Sequence, residues 1–432
     1  MKMSVVGTGY LGATHAAAMA ELGHEVIGID VDETKIDLLR DGRVPFFEPG
    51  LPELLSKHVA TGALRFTTSM QTAIAFGDIH FVCVGTPQRP GEYAADLRYV
   101  NSAFAALLPH VRPGTTVVGK STVPVGTAAR LAPDVREVGA NLVWNPEFLR
   151  EGLAVEDTMH PDRVVLGLDE GHGLDAMQQA YEQILALGTP LVITDYATAE
   201  LVKVAANSFL ATKISFINAM AEVCEATGAD VTHLATAIGH DERIGHSFLR
   251  AGLGFGGGCL PKDIRAFIAR AGELGVDQAV SFLKNIDEIN LRRRARMIDL
   301  ARELCGGSLA GRRVGVLGLA FKPNSDDIRD SPALDVALTI QRSGAAVRVY
   351  DPQAMVQAKD IYPTLAYAPN AIEACRDVDV VLHLTEWAEF RDLRPDQLAE
   401  VVTQKNIVDG RNVLDPGVWR AAGWHLRALG RP

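Results

Sequence analysis

The chain opens with an apolar run, MSVVG, that gives way to small residues in GTGYLG and then to ATHAAAMAELG, where apolar positions recur at helical spacing. This predicts a buried strand, a tight turn and a helix packed back on the sheet. HEVIGID follows as a second strand ending in Asp30. DIHFVCVGTP (78–87) and GTTVVGKSTVP (114–124) are further apolar runs closed by small, polar or proline residues, the pattern of buried parallel strands whose far ends face a ligand. The rhythm returns late in the chain in RRVGVLGLAF, AAVRVYDP, DVDVVLHLTEW and KNIVDGRNVLD. Between these halves, residues 198–228 keep apolar positions at helical period over many turns, predicting one long helix.

Gly7, Gly9 and Gly12 in the first turn have the spacing G-x-G-x-x-G, and Asp30 lies 23 positions after Gly7. Gly7 permits the turn, Gly9 leaves room for a pyrophosphate, and Gly12 lets the helix approach the sheet. The helix start offers unpaired N–H groups to phosphate, and Asp30 stands where a carboxylate accepts adenosine ribose hydroxyls. The expected cofactor is NAD, because a 2′-phosphate would meet that carboxylate. The later repeat lacks the three-glycine pattern and carries the insert KPNSDDIRDSP, so it is expected to bind a different nucleotide or only to pack. The expected fold is therefore α/β, with two Rossmann-like domains joined by a long central helix and a helical dimerisation region. The boundaries fall at 1–196, 197–300 and 301–432.

Composition narrows the class. At 432 residues the chain exceeds one ordinary core, and 47% hydrophobic with 22% charged residues describes globular domains. A net charge of −11 disfavours general affinity for nucleic acid or an anionic membrane surface. The N-terminus runs straight from strand to glycines without a signal-peptide pattern, and no apolar stretch reaches membrane-spanning length. Cys83, Cys224, Cys259, Cys305 and Cys375 show neither disulfide nor metal spacing, which fits a reducing cytoplasm and no metal.

Several residues are candidates for chemistry. Thr86 and Thr122 stand at ligand-facing strand ends, whereas Cys83 alternates into a strand and reads as core. Lys203 and Asn207 lie four apart on the long helix and share a face. They either present an ammonium and an amide to a developing oxyanion or serve as ordinary snorkelling and pairing groups. In GLGFGGGCLPKD, Cys259 is a nucleophile if a helix begins near Pro261, since its first N–H groups would favour a thiolate; otherwise it is a small core residue. Asp263 then orients water or Lys203, or stabilises the first turn. Glu147 and Glu151 in NPEFLREG would face one pocket if a helix begins there, dividing acid–base and ligand-holding roles.

Taken together, GTGYLG, STVPVGT, NPEFLREG, GFGGGCLPKD and GLAFKPNSDDIRDSP, in this order across almost the whole chain, resemble the UDP-glucose/GDP-mannose dehydrogenase family. The resemblance implies an enzyme that uses two molecules of NAD to oxidise a sugar C6 hydroxymethyl group to a carboxylate, through a cysteine thiohemiacetal and thioester. It implies Cys259 as nucleophile, Lys203 and Asn207 on the oxyanion, Asp263 in proton transfer or water positioning, Glu151 in acid–base chemistry or thioester hydrolysis, and Thr122 by an active-site water. The cofactor set it implies adds Tyr10, Leu11, Lys35, Thr86, Thr122, Glu151 and Arg329 to the glycines and Asp30. For the nucleotide sugar it implies Glu147, Phe148, Leu149, Arg150, Lys203, Asn207, Arg250, Phe255, Gly256, Phe321, Lys322 and Arg411, with Arg243 contributed across a dimer interface. Gly258 departs from the family, which commonly has serine before the cysteine. The NPEFLREG, Arg250, GFGGGC and FKPNSDDIRDSP stretches look closer to the UDP-glucose branch, with GDP-mannose or a UDP-amino-sugar as the alternative substrate.

Overall fold

The computed structural model describes all 432 residues. The chain forms two compact units, one of residues Met1–Ala206 with Arg265–Gly275, the other of Asn207–Ile264 with Val276–Pro432. The expected central segment 197–300 is thus divided between them.

The first unit is built on an eight-stranded sheet: β1 Lys2–Val6, β2 Glu25–Ile29, β3 Leu64–Thr67, β4 Ile79–Val82, β5 Thr116–Gly119, β6 Asn141–Trp144, β7 Val164–Gly167 and β8 Leu191–Thr194. Their order is β3-β2-β1-β4-β5-β6-β7-β8, parallel throughout except at β6–β7. This is the doubly wound order extended at one edge. Both faces are buried, with Met3 and Val5 of β1 in one core cluster and Val6 in another, which is why the strands read as unbroken apolar runs.

The second sheet comprises β9 Arg313–Leu317, β10 Ala346–Tyr350, β11 Ala366–Tyr367, β12 Val380–His383, β13 Asn406–Asp409 and β14 His425–Ala428, ordered β11-β10-β9-β12-β13-β14. Strand for strand this repeats the central topology of the first, as the recurring sequence rhythm implied.

Five helices matter below: α1 Tyr10–Glu21, α2 Thr127–Glu137, α3 Tyr196–Thr227, α4 Leu260–Glu273 and α5 Phe282–Leu304. The long helix expected at 198–228 is α3. In the second unit it buries Ala211, Ile217, Ala221 and Cys224 while leaving Phe209, Phe216 and Val223 exposed. No helix is long and apolar enough to cross a membrane.

Candidate active site

In the first unit the glycine turn follows β1 directly. Gly7 has φ +88°, and a Cβ there would sit 2.9 Å from Val84 Cγ1. A Cβ on Gly12 would lie 1.8 Å from the Gly7 carbonyl oxygen, so only glycine lets α1 start this close to the sheet. At Gly9 a Cβ would meet nothing within 4 Å, leaving open space at the N-terminus of α1 where a diphosphate fits. Asp30, at the end of β2, accepts from the Thr8 backbone N–H (2.9 Å) and from Lys35 Nζ (2.9 Å). Leu11 is half-buried in the first turn of α1. The Tyr10 hydroxyl is already engaged: it donates to Glu48 and accepts from the Gly152 N–H at 3.0 Å. Glu48, 1% exposed, also takes the N–H groups of Gly152 (2.6 Å) and Ala154 (2.7 Å), which fastens the segment after Glu151 to the fingerprint turn. Burial, then Glu48, pushes the Tyr10 phenol far above its usual pKa, so it stays protonated.

Glu147 and Glu151 do not share a helix; residues 145–150 are irregular and Glu151 lies in a turn. Glu147 Oε1 accepts from its own following amides, Phe148 (2.7 Å) and Leu149 (3.0 Å), a local bond that competes with helix formation. Its Oε2 is 2.9 Å from Lys120 Nζ, which also reaches Asn145 Oδ1 (3.1 Å) and the Tyr181 hydroxyl (3.4 Å). Burial alone would raise the Glu147 pKa, but Lys120, the Phe148 amide and Lys203 bring it below the ordinary carboxylate value. Glu147 is therefore a fixed anion. Lys203, buried on α3, stands 5.4 Å over the Phe148 ring, so that segment and the helix meet at Phe148. Arg150 is turned outward onto Asp157 at 2.6 Å. The Thr86 hydroxyl donates to the Thr122 carbonyl at 2.8 Å, so these strand ends hold each other. Cys83 is core as expected, its thiol pushed up to about 12 by burial.

In the second unit Cys259 is exposed and directly precedes α4, with its carbonyl accepting the Asp263 N–H at 2.9 Å. The helix start anticipated from Pro261 is present. Asp263, 2% exposed, accepts from Asn207 Nδ2 (2.6 Å) and Lys262 Nζ (2.5 Å), fixing the Asn207 amide. Gly256 and Gly257 are required by what packs on them. A Cβ on Gly256 would lie 2.4 Å from the Asp330 carbonyl, and one on Gly257, at φ +83°, 2.8 Å from the Phe321 ring. Asn290 of α5 grips Phe255 from both sides, accepting its N–H (2.7 Å) and donating to its carbonyl (3.0 Å). The guanidinium of Arg329 lies over Gly258, its Cζ 2.4 Å from where a Cβ would stand, and pairs with Asp327 at 2.7 Å. The space of the missing serine side chain is thus filled by arginine.

Arg411 spends its guanidinium inside the unit, donating to the carbonyls of Leu384 (2.7 Å), Phe321 (2.9 Å) and Gly254 (3.4 Å) and pairing with Glu386 at 3.2 Å. Burial lowers its pKa, opposed by Glu386 and Asp409. Lys322 Nζ lies 5.3 Å over the Phe321 ring. Arg250 lines a pocket with Thr232, His246 and Asn412, while Arg243 is 89% exposed and paired only with Asp241 of its own loop. At the end of β10, Asp351 is fully buried and accepts the N–H groups of Leu319 (2.7 Å) and Ala320 (3.0 Å). Asp351 thus takes two amides of the turn after β9, where Asp30 takes one amide of the turn after β1, that of Thr8.

Sequence reasoning missed Lys120, Glu48, Asn290 and Glu200. Glu200 of α3, 2% exposed, accepts the N–H groups of Gly126 (2.7 Å) and Ala128 (2.6 Å) at the start of α2, and burial pushes its pKa up to about 7. For Lys120, Glu48 and Glu200 the available signal was a lone charge, which names no partner, and Asn290 offered none.

A doubly wound unit with a dinucleotide turn, followed by a second unit of the same topology carrying an exposed helix-start cysteine, defines a two-domain nucleotide-dependent oxidoreductase. Three family models cover most of the chain: the NAD binding domain of the UDP-glucose/GDP-mannose dehydrogenase family over residues 1–185, its central domain over 197–292 and its UDP binding domain over 315–416. The chain belongs to the UDP-glucose/GDP-mannose dehydrogenase family. It is 41% identical over 438 residues, covering all of both chains, to a UDP-glucose 6-dehydrogenase of Rhizobium meliloti. It is 40% identical to UDP-glucose 6-dehydrogenase TuaD of Bacillus subtilis, covering all of this chain and 93% of that one. The solved UDP-glucose dehydrogenase of Pyrobaculum islandicum superposes with a TM-score of 0.88 at 39% identity, covering 95% of this chain and 94% of the other.

Proposed function

We propose that the protein oxidises the C6 hydroxymethyl group of UDP-glucose to the carboxylate of UDP-glucuronate, with Cys259 as the covalent nucleophile. The observation that carries this is Cys259 itself, exposed at the start of α4 with Asp263 and Asn207 hydrogen-bonded one turn on, in a chain whose full-length relatives bear the name UDP-glucose 6-dehydrogenase.

The glycine turn, the α1 N-terminus and Asp30 would hold NAD, and two NAD molecules bound in succession would each accept one hydride. The first oxidation converts the alcohol to an aldehyde. Cys259 sulfur adds to that aldehyde, with Lys203 and the Asn207 amide stabilising charge on its oxygen, and the thiohemiacetal is oxidised to a thioester. Water then releases the carboxylate and regenerates the thiol. Asp263 positions Asn207 and assists proton transfer, Glu151 assists hydrolysis, and Thr122 holds the water. Glu147, already ionised against Lys120, orients the substrate segment with Phe148, Leu149 and Arg150. Phe255, Gly256, Phe321, Lys322, Arg250 and Arg411 line the nucleotide-sugar side, and Arg329 contacts the cofactor. Holding the intermediate covalently keeps the reactive aldehyde from escaping.

The working unit in this reading is a cytoplasmic dimer, with the exposed Phe209, Phe216 and Val223 of α3 covered by a second copy and Arg243 completing the neighbour's sugar site. Progress curves with UDP-glucose, UDP-galactose, UDP-N-acetylglucosamine and GDP-mannose test the substrate. Preferential turnover of GDP-mannose or an amino sugar would refute that assignment. Cys259→Ser is expected to bind both nucleotides and form no UDP-glucuronate; normal turnover by this variant would refute the covalent route. Glu151→Gln is expected to accumulate a UDP-glucuronyl adduct on Cys259, visible in the intact protein mass.

A further inference from the structure

Five of the seven residues before Cys259, at 252–258, are glycine, so the backbone that carries the sulfur has little conformational preference of its own. Its shape is imposed from outside, and the ties lead to one face of α5. Asn290 and Arg294 stand four apart on that helix, and both are buried. Asn290 bonds the N–H and the carbonyl of Phe255, and its Oδ1 lies 2.4 Å from where a Cβ on Gly254 would stand. Gly254, at φ +100°, is what lets the loop come down onto that amide. Arg294 reaches the same loop through a second segment. Its Nη2 donates to Oδ1 (2.9 Å) and to the backbone carbonyl (3.3 Å) of Asp330, and its Nη1 donates to Asp335 Oδ2 at 3.2 Å. Asp330 sits in the left-handed region at φ +46°, which a residue other than glycine keeps only where its surroundings enforce it. The Asp330 carbonyl is the one packed on Gly256, and the neighbouring Arg329 carbonyl accepts the Gly257 N–H at 2.9 Å.

We propose that Asn290 and Arg294 are positioning residues for the reaction: one face of α5 sets the Gly254–Gly258 backbone and, through it, the place of the Cys259 sulfur. The catalytic consequence rests on the reading of Cys259 as the nucleophile. Asn290 acts through Phe255, and Arg294 acts through Asp330 and the Arg329 carbonyl beside it. The two ties grip the loop on either side of Gly256, so the loss of either one leaves a glycine run fastened at one point. An attacking atom displaced by about 1 Å loses on the order of 100-fold in rate, so a rigid helix is a better reference for the sulfur than the loop itself.

The test compares full-length Asn290→Ala and Arg294→Met with the wild type by amide hydrogen exchange and by steady-state oxidation of UDP-glucose. Both variants are expected to exchange the Phe255 and Gly257 amides at least about 10-fold faster, with the strands of both sheets unchanged. In both, kcat is expected to fall by on the order of 10- to 100-fold while the KM for NAD stays within about 2-fold of the wild type. Arg294→Lys keeps the charge but not the fork onto Asp330 and Asp335, and its kcat should fall between those of Arg294→Met and the wild type. If Asn290→Ala does not fold, Asn290→Asp, which keeps the acceptor for the Phe255 N–H and loses the donor to its carbonyl, is expected to show the same local exchange and the same loss of kcat. Unchanged exchange at Phe255 and Gly257 overturns the proposal. So does exchange that rises throughout the unit with kcat per folded molecule unchanged, the mark of a purely structural role. If the local exchange rises while Cys259→Ser oxidises UDP-glucose normally, the nucleophile reading falls and the hold of α5 on the loop stands.

Discussion

Lys120→Met removes the cation from a nearly dry site while keeping most of the side chain's length. Lys120 is 4% exposed, Asn145 3% and Tyr181 5%, and the Glu147 side chain 16%. At the observed 2.9 Å, two unit charges attract by about 6 kcal/mol at an effective dielectric constant of about 20. Part of this offsets the desolvation of both ions, and stranding one partner of a buried pair typically costs about 3–5 kcal/mol. Lys120→Met is therefore expected to destabilise the first unit by about 3–5 kcal/mol at neutral pH in urea unfolding. The pH dependence gives a second check. In the wild type the lowered Glu147 pKa contributes stability that is present above its ordinary value of 4.5 and lost as pH falls through the lowered value. In the variant the stranded carboxyl takes up a proton more easily, so the gap between the two proteins should narrow in acid. Adding Glu147→Gln to Lys120→Met should recover most of the loss, because the stranded charge is gone. A loss below about 1 kcal/mol, the size of an exposed pair, or no recovery in the double variant would refute the reasoning.

Glu200 gives the opposite pH signature. Its folded pKa of about 7 exceeds the ordinary 4.5, so its stabilisation is complete below 4.5 and lost as pH rises through about 7. The span corresponds to about 3 kcal/mol, and Glu200→Gln should flatten that part of the urea stability profile; an unchanged slope would refute the assignment. At Gly258 only the tip of Arg329, 64% exposed, must swing aside, so Gly258→Ser should shift stability by no more than about 0.5 kcal/mol in thermal unfolding. Gly257→Ala, with φ +83° and the Phe321 ring in the way, should lose at least about 1 kcal/mol in the same measurement; equal effects at the two positions would refute this account of the glycine run.

The features legible in the sequence are those set by neighbours along the chain. The spacing of Gly7, Gly9 and Gly12, the apolar period of α3 and the helix start after Cys259 each follow from backbone sterics or side-chain period within a few turns, and the repeat of apolar runs carried the twofold strand order. Spacing misled where a short side chain competed with the backbone: Glu147 and Glu151 stand at helical distance, yet Glu147 bonds its own amides and keeps the segment irregular. Lys35 sits five positions from Asp30, but only the turn of the chain after β2 shows its ammonium meeting that carboxylate. Arg411, which the resemblance gives to the nucleotide sugar, also ties together three carbonyls from distant loops, and nothing in its local sequence names them. Lys120 with Glu147, and Glu200 with the α2 amides 72–74 positions away, belong to the same class. A buried charge is tolerated only where the fold delivers its partner, and that delivery is made by chain crossings that no local pattern records.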